Sequence, residues 1–234
     1  LDLFFGNLTA GDGVWLNNGS GGFSDGGAHG TSEDTYAVVI GDLDGDGDLD
    51  LLSGRDGGNN RVYLNSGSAT FTEGDNFDGD DARALALGDQ DGDGDLDVFV
   101  GNSAGTDKLW LNDGTANFDG GWSSVASSTT SGAAFGDMDG DGTPELAVAV
   151  SGGALLRFAP GQEKPATVRA AGALKPGAMT AGGDGRLYLV DEATQQIAIL
   201  DATSGKEVGR LGKPGGPYAG QYDPARMVNP LALA

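Results

Sequence analysis

The most informative segment of this chain reads Asp42-Leu43-Asp44-Gly45-Asp46-Gly47-Asp48-Leu49-Asp50. It carries carboxylates at alternate positions, and at neutral pH these groups repel one another unless a cation lies between them. Calcium is the expected cation, because it takes about six to eight oxygen ligands in a flexible geometry. The segment therefore predicts a calcium-binding loop, in which Gly45 and Gly47 permit tight curvature.

The segment recurs twice at a nearly constant spacing. The second copy reads Asp89-Gln90-Asp91-Gly92-Asp93-Gly94-Asp95-Leu96-Asp97, and the third reads Asp137-Met138-Asp139-Gly140-Asp141-Gly142-Thr143-Pro144-Glu145. The first Asp of each copy lies 47 and then 48 residues after the one before. Such a period is typical of proteins that repeat one structural unit, so the remaining sequence is read against it.

Short apolar segments repeat with the same period. Residues 1–23, 49–71 and 96–118 each contain an apolar run, a Val-Trp-Leu-Asn type segment and a later Phe. Together with the apolar residues before each loop, at 36–40, 84–87 and 133–135, they predict four strands per unit. Four short strands at this period are typical of a β-propeller blade. Three aromatic residues are then expected to pack between adjacent sheets, with sugar stacking as the alternative: Trp15, Tyr63 and Trp110.

The chain after residue 150 lacks the acidic loops but keeps the strand pattern. Residues 176–181, 186–190, 196–200 and 207–211 predict one further blade, and residues 229–234 read as another first strand. The chain thus starts at a second strand and ends at a first strand.

The prediction is an all-β, single-domain β-propeller of five four-stranded blades over residues 1–234. Residues 1–150 form blades with calcium loops, and residues 151–234 form blades without them. The C-terminal strand closes the ring by joining the N-terminal blade, which leaves few open sheet edges. Two alternatives remain open, namely a segment of a longer propeller and exchange of the terminal strand between subunits.

The charge of the chain limits its partners. The formal net charge is −22, which argues against nucleic acid and anionic membranes. No apolar run is long enough to span a bilayer, so no membrane insertion is expected. There is no Cys, so the fold does not rely on disulfides. Acidic calcium loops favour a calcium-rich exterior, and an extracellular or cell-surface location is expected.

Residues 1 to about 150 resemble FG-GAP (VCBS-type) repeats, the repeats of the integrin α-subunit propeller. The matching residues are Gly-Asp-Leu-Asp-Gly-Asp-Gly-Asp-Leu-Asp-Leu-Leu at 41–52 and the corresponding run at 88–99. The resemblance implies calcium bound between the first two strands of a blade, by four side chains and one carbonyl per loop. The implied side-chain ligands are Asp42, Asp44, Asp46 and Asp50, then Asp89, Asp91, Asp93 and Asp97, then Asp137, Asp139, Asp141 and Glu145. The implied carbonyl ligands are those of Asp48, Asp95 and Thr143. Pro144 and Glu145 depart from the family pattern, which makes the third loop the divergent one.

Residues 176–234 resemble NHL repeats, another type of propeller blade. The resemblance is carried by residues 184–191 and by the Pro-Leu-Ala-Leu-Ala end. A joint of two blade families near residue 150 suggests a hybrid or engineered chain.

These patterns predict a non-enzymatic, monomeric binding or adhesion module for a glycan or a protein. The alternatives are a structural subunit of a surface assembly, which would oligomerise by strand exchange, an engineered scaffold, and a glycan hydrolase or lyase. For an enzymatic function, the chain offers no Cys nucleophile and only a single histidine, His29. It would need a carboxylate pair among the remaining acidic residues, such as Asp34, Asp75, Asp78, Asp80, Asp81, Asp107 and Asp113.

Overall fold

The computed structural model describes residues 2–7, 11–29, 34–67, 70–77, 80–123 and 129–214. In these ranges the secondary structure consists of β-strands joined by turns. The described part of the chain contains no helix that could cross a membrane.

The strands form five antiparallel sheets, which we number as blades 1 to 5 in chain order. Blade 1 contains β1 (Leu3–Phe5), β2 (Asp12–Asn17) and β3 (Phe23–His29). Blade 2 contains β4 (Thr35–Gly41), β5 (Asp50–Arg55), β6 (Asn60–Asn65) and β7 (Phe71–Phe77). Blade 3 contains β8 (Ala82–Gly88), β9 (Asp97–Asn102), β10 (Lys108–Asn112) and β11 (Phe118–Ser123). Blade 4 contains β12 (Thr130–Gly136), β13 (Glu145–Val150), β14 (Ala154–Phe158) and β15 (Ala166–Arg169). Blade 5 contains β16 (Pro176–Gly182), β17 (Arg186–Asp191), β18 (Gln196–Asp201) and β19 (Glu207–Leu211).

Each blade is a simple meander in which every strand pairs with the next one along the chain. The first strands of blades 2 to 5 lie side by side, β4 against β8, β8 against β12 and β12 against β16. This arrangement is a β-propeller, as the sequence predicted. The change of character near residue 150 falls inside blade 4, whose sheet continues from β13 to β14 without a break.

The second strands of blades 2 to 4 form the centre of the core. Every residue of β5, β9 and β13 is buried, because each strand has another sheet on both faces. Leu52, Phe99 and Leu146 are fully inaccessible to solvent. The continuous apolar runs that follow each acidic loop are therefore explained by two-sided packing.

Adjacent blades approach closely at the glycines that end β4, β8 and β12. A Cβ at Gly41 would lie 2.8 Å from Leu87 and 2.9 Å from Leu96 of blade 3. Gly88 faces Phe135 of blade 4 in the same way. Only a residue without a side chain allows this approach, so these glycines set the spacing between blades just before the acidic loops.

A buried hydrogen bond repeats across the interfaces between blades. Asp12 Oδ2 accepts a bond from Thr35 Oγ1 at 3.0 Å, and Asp107 Oδ2 accepts one from Thr130 Oγ1 at 2.8 Å. Between these two pairs, Asn60 takes the carboxylate position and accepts from the amide of Arg55 at 3.1 Å. Burial raises the pKa of Asp107, although the bonds from Asn102 and Thr130 act in the opposite direction.

The aromatic residues of the third strands pack as expected in two blades. Tyr63 is 3% exposed, and the Trp110 ring lies 5.2 Å from Phe77 on the last strand of the preceding blade. The packing prediction is wrong for Trp15, which is 42% exposed at one end of the row of blades. Leu211, on the last strand of blade 5, is also exposed. In a closed ring these two residues would pack as Trp110 packs on Phe77.

Closure of the ring stays a prediction, because residues 229–234 lie outside the described residues. Among the described strands, β1 pairs only with β2 and its other edge has no partner. Leu3 and Phe5 are 41% and 47% exposed, whereas Leu51 at the position of Leu3 is 1% exposed. A first strand placed beside β1 would cover these side chains.

We predict that replacing Leu231 and Leu233 together by Asp lowers the melting temperature by roughly 10 °C. Each leucine buried against β1 is worth about 1.5–3 kcal/mol, and each kcal/mol corresponds to about 2–4 °C in a domain of this size. Calorimetry of the purified variant measures the change. Phe23→Asp, at an exposed position of blade 1, serves as the control and should melt within about 2 °C of the parent. A double variant that melts like the parent would show that this segment does not close the ring.

The Asp107→Asn variant tests the buried interface carboxylate by its pH dependence. Because the folded state raises the pKa of Asp107, protonation stabilises the fold below the unfolded pKa, and this contribution is lost as pH rises through the folded pKa. The parent should therefore gain melting temperature relative to Asp107→Asn between about pH 7 and about pH 4. Hydrogen bonds from Thr115 lower the pKa of Asp113, so Asp113→Asn should show the opposite trend. Equal trends for both variants would contradict this account.

Candidate metal centres

Three carboxylate clusters lie between the first and second strands of blades 2, 3 and 4. In each cluster, one oxygen from each of three side chains lies within 4.8 Å of the other two, which is close enough to share one cation. The clusters are Asp42, Asp44 and Asp50 (site 1), Asp89, Asp91 and Asp97 (site 2), and Asp137, Asp139 and Glu145 (site 3). The structure thus brings together nine of the fifteen residues that the sequence singled out.

The backbone of each loop is curved by two glycines in the left-handed region. Gly45 and Gly47 have φ values of 74° and 92°, and the corresponding glycines of the other two loops adopt the same conformation. Residues with a Cβ rarely adopt this conformation, so the glycine spacing is required for the turn. The turn aims the alternate side chains at one point.

The carboxylate of Asp42 provides the test of whether a cation fits site 1. Its Oδ2 accepts a bond from the amide of Gly47 at 3.1 Å. Its Oδ1 is buried and has no hydrogen-bond partner among the described residues. A buried, unpartnered carboxylate oxygen is costly unless a cation contacts it, and an all-oxygen cluster suits a hard cation such as calcium.

The last carboxylate of each loop lies beneath it and accepts hydrogen bonds from backbone amides. Asp50 is fully buried, with Oδ2 accepting from the amide of Leu43 and Oδ1 from the amide of Asn65, both at 2.8 Å. Asp97 is held in the same way in site 2. Burial raises the pKa of Asp97 to about 6, and it also raises the pKa of Asp50. These carboxylates are positioned where their negative charge is unfavourable without a compensating cation.

The third implied side chain of each loop lies outside its cluster. Asp46, Asp93 and Asp141 each direct Oδ1 to a backbone amide of their own loop at 2.9 Å, the donors being Asp48, Asp95 and Thr143. Their role as calcium ligands stays a prediction.

The fourth position of each loop was implied to act through its carbonyl. The side chains of Asp48 and Asp95 lie against Gly67 and Gly114, where they leave no room for a Cβ. They are therefore directed toward the turn between the third and fourth strands of their own blade. The carbonyl role of these residues and of Thr143 stays a prediction.

Site 3 differs from the other two sites in its charge. Glu145 compensates for its position after Pro144 by its longer side chain, and its Oε2 accepts from the amide of Met138 at 2.8 Å. Arg157 forms an ion pair with Asp139 at 3.3 Å, so a protein cation already neutralises part of this cluster. The sequence analysis missed Arg157, although it is the one basic residue of β14.

Most of the acidic residues considered for an enzyme have other partners within the described residues. Asp80 pairs with Lys108, Asp107 with Thr130, and Asp113 with Thr115 of its own turn. Asp75 accepts from the amide of Phe118, and Asp81 from Ser103. Asp34 uses its backbone carbonyl to accept from Asp56, and Asp78 lies outside the described residues. His29 has its ring edge against Tyr63 and Phe71.

A cavity of about 1100 Å³ lies along the first strands of blades 2 to 5. Its lining comes from β4, β8, β12 and β16 and from the turns that follow the second strands, including Ser103, Ser151 and Glu192. These turns lie at the opposite end of the blades from the acidic loops, because the first and second strands are antiparallel. Arg83 stacks on the ring of Tyr36, 3.5 Å from its centre, at this end of the cavity.

The fold and the loops together define a β-propeller with carboxylate clusters at the hairpin ends. Comparison with protein families gives three overlapping matches to the FG-GAP-like repeat, at residues 1–53, 42–100 and 89–148. These matches cover more than half of the chain, which therefore belongs to the FG-GAP-like repeat family. No curated protein matches the chain.

Several solved propeller structures are similar to the chain in fold. Sqt1 of Saccharomyces cerevisiae superposes with a TM-score of 0.67 at 10% identity, covering 91% of this chain and 58% of that chain. The nidogen/laminin complex gives a TM-score of 0.52 at 12% identity, covering 89% and 92%. YCF48 bound to D1 peptide gives 0.56 at 13% identity, covering 87% and 62%. At these identities the likeness concerns the fold alone.

We predict that calcium raises the melting temperature of the protein by roughly 5–10 °C for each occupied site. Binding to the folded state alone adds about 2.7 kcal/mol per site at a 100-fold excess over Kd. The Asp44→Asn/Asp91→Asn variant should lose most of this increase, measured by calorimetry with calcium and with chelator.

The matched control removes the same number of charges from the same loops. Asp48→Asn/Asp95→Asn changes side chains that lie outside the clusters, so it should keep the calcium-dependent increase. If both double variants respond to calcium like the parent, the clusters are not the binding sites.

Proposed function

We propose that this chain is a calcium-stabilised, non-enzymatic binding module that acts outside the cell, as an adhesion or recognition domain for a glycan or a protein. The observation that carries the proposal is the separation of two features along the blades. Carboxylate clusters lie at one end of the inner hairpins, and a cavity opens toward the other end. A metal that stiffens one end leaves the other free for a ligand.

Extracellular action is supported by the chemistry of the clusters. Each site offers three converging carboxylates on a largely exposed loop, which is the kind of site that fills at the millimolar calcium of extracellular fluids. The net charge of −22 fits the same setting, since calcium in that range compensates the acidic loops. The protein is proposed to be a monomer without nucleic-acid partners.

The cavity supports recognition of a polar ligand with some apolar surface. Ser103 and Thr129 line it beside the stacked Arg83 and Tyr36. Such a mixture of apolar wall and few polar groups is typical of binding sites in general. It suits both a sugar and a peptide, so the class of ligand is left to the experiment below.

A second candidate function is a structural subunit of a surface assembly. It is supported by the edge of β1, which has no partner strand among the described residues and is flanked by exposed Leu3 and Phe5. Exposed edges of this kind pair readily with strands of other chains.

We predict saturable, calcium-dependent binding on an array of glycans and surface proteins. Thr180→Arg places a long side chain in the cavity and should weaken that binding at least tenfold, whereas Thr72→Arg on the exposed strand β7 should bind like the parent. Unchanged binding by Thr180→Arg would exclude the cavity as the ligand site. No binding on the array, together with concentration-dependent oligomers in light scattering, would instead favour the assembly subunit.

A further inference from the structure

Asn112, at the end of β10, bridges the loops of two neighbouring blades. We number the acidic loops after their sites, so that loop 1 carries site 1 and loop 2 carries site 2. The side-chain amide of Asn112 donates to the carbonyl of Leu43 in loop 1 at 2.8 Å, across the interface between blades 2 and 3. Its own backbone amide donates to Asp97 Oδ1 of site 2 at 3.0 Å. Asn112 is 4% exposed, so both bonds are shielded from water.

The residue that Asn112 contacts in loop 1 is itself bound to site 1. The amide of Leu43 donates to Asp50 Oδ2 at 2.8 Å. Leu43 is 1% exposed, and its carbonyl also accepts from the amide of Ala116 in blade 3 at 3.1 Å. A continuous run of three buried hydrogen bonds thus joins Asp50 of site 1 to Asp97 of site 2.

We infer that Asn112 couples the two metal sites, so that a cation at site 1 raises the affinity of site 2 and the reverse. The inference rests on the proposed calcium sites and adds a dependence between them. A cation at either site orders its buried carboxylate and, through Leu43 and Asn112, the carboxylate of the other site. The second cation then binds to a site that is already ordered, so it loses less conformational entropy on binding. Each cation therefore raises the affinity of the other site by the same factor.

The chain contains its own comparison for this bridge. Asn65 occupies the position of Asn112 one blade earlier, and its backbone amide donates to Asp50 Oδ1 at 2.8 Å. Its side chain donates to the carbonyl of Leu49 in its own blade at 3.1 Å, as the side chain of Asn112 does to the carbonyl of Leu96 at 3.2 Å. The side-chain carbonyl of Asn65 also accepts from the amide of Gly67, and that of Asn112 accepts from the amide of Gly114, so both residues cap the turn that follows them. The two residues therefore differ mainly in the bond across the interface.

Site 3 lies outside the coupled pair. The strand register places Phe158 at the position of Trp110, so the position of Asn112 is taken in blade 4 by Pro160, whose side chain cannot donate to a neighbouring loop. Loop 2 reaches blade 4 through Gln90, whose side chain donates to the carbonyl of Ala159 at 2.9 Å and whose carbonyl accepts from Gly161. These contacts fasten loop 2 to blade 4 without reaching Glu145. The coupling is therefore confined to sites 1 and 2.

The test is a calcium titration by isothermal calorimetry in the background Asp139→Asn, which leaves two sites. Adding Asp91→Asn or Asp44→Asn gives the two single-site proteins. The product of the two association constants in the two-site protein should exceed the product of the single-site constants by about fivefold. This ratio is the coupling factor.

The bridge is tested by repeating the set with Asn112→Ala and with Asn65→Ala. Asn112→Ala should reduce the coupling factor to about one, and Asn65→Ala should leave it at about fivefold. If Asn112→Ala does not fold, the parent set still tests the coupling, and a factor of one in that set overturns it. Equal factors in both asparagine variants overturn the role of Asn112. Absence of any calcium binding would overturn the proposed metal sites and the coupling together, whereas binding with a factor of one overturns the coupling alone.

Discussion

Burial of carboxylates that converge on one point is the constraint on which this propeller depends. Three oxygens lie within 4.8 Å of one another at the end of each acidic hairpin, and one member of each cluster is almost completely buried. Like charges this close favour either protonation or a bound cation. Burial is the largest cause of the raised pKa of Asp97, because it disfavours the charged carboxylate. At neutral pH a hard cation would compensate this charge more completely than a proton.

The same loops also fix the position of neighbouring blades. The second residue of each loop sends its amide to the buried carboxylate of its own blade and its carbonyl to the next blade: Leu43 to Ala116, Gln90 to Gly161, and Met138 to Thr203. Any group that orders the loop therefore also orders the interface. In blade 4 this contact reaches blade 5, which has no acidic loop of its own. The blades with acidic loops and the blade without one are thus joined by one type of contact.

Much of the fold could be predicted because each structural element leaves a local pattern. The predicted strand at 207–211 coincides with β19, and the apolar runs after the loops coincide with β5, β9 and β13. The short outer strand β15 was missed, since its four residues are too few to show a clear period and are exposed or half-buried. The packing of Trp15 was predicted wrongly, because a repeat pattern cannot show whether a neighbouring blade covers the end of the row.

The repeated acidic segments were sufficient to define the period, the blade type and the fifteen loop residues from which the three clusters are drawn, because alternation and glycine spacing are local properties of the chain. The position of Arg157 beside Asp139, the cavity along the first strands and the reach of Asn112 into loop 1 depended on the packing of separate blades. Those contacts join residues that are 18 to 69 positions apart. No local pattern encodes such distances, since they follow from how closely one sheet can approach the next.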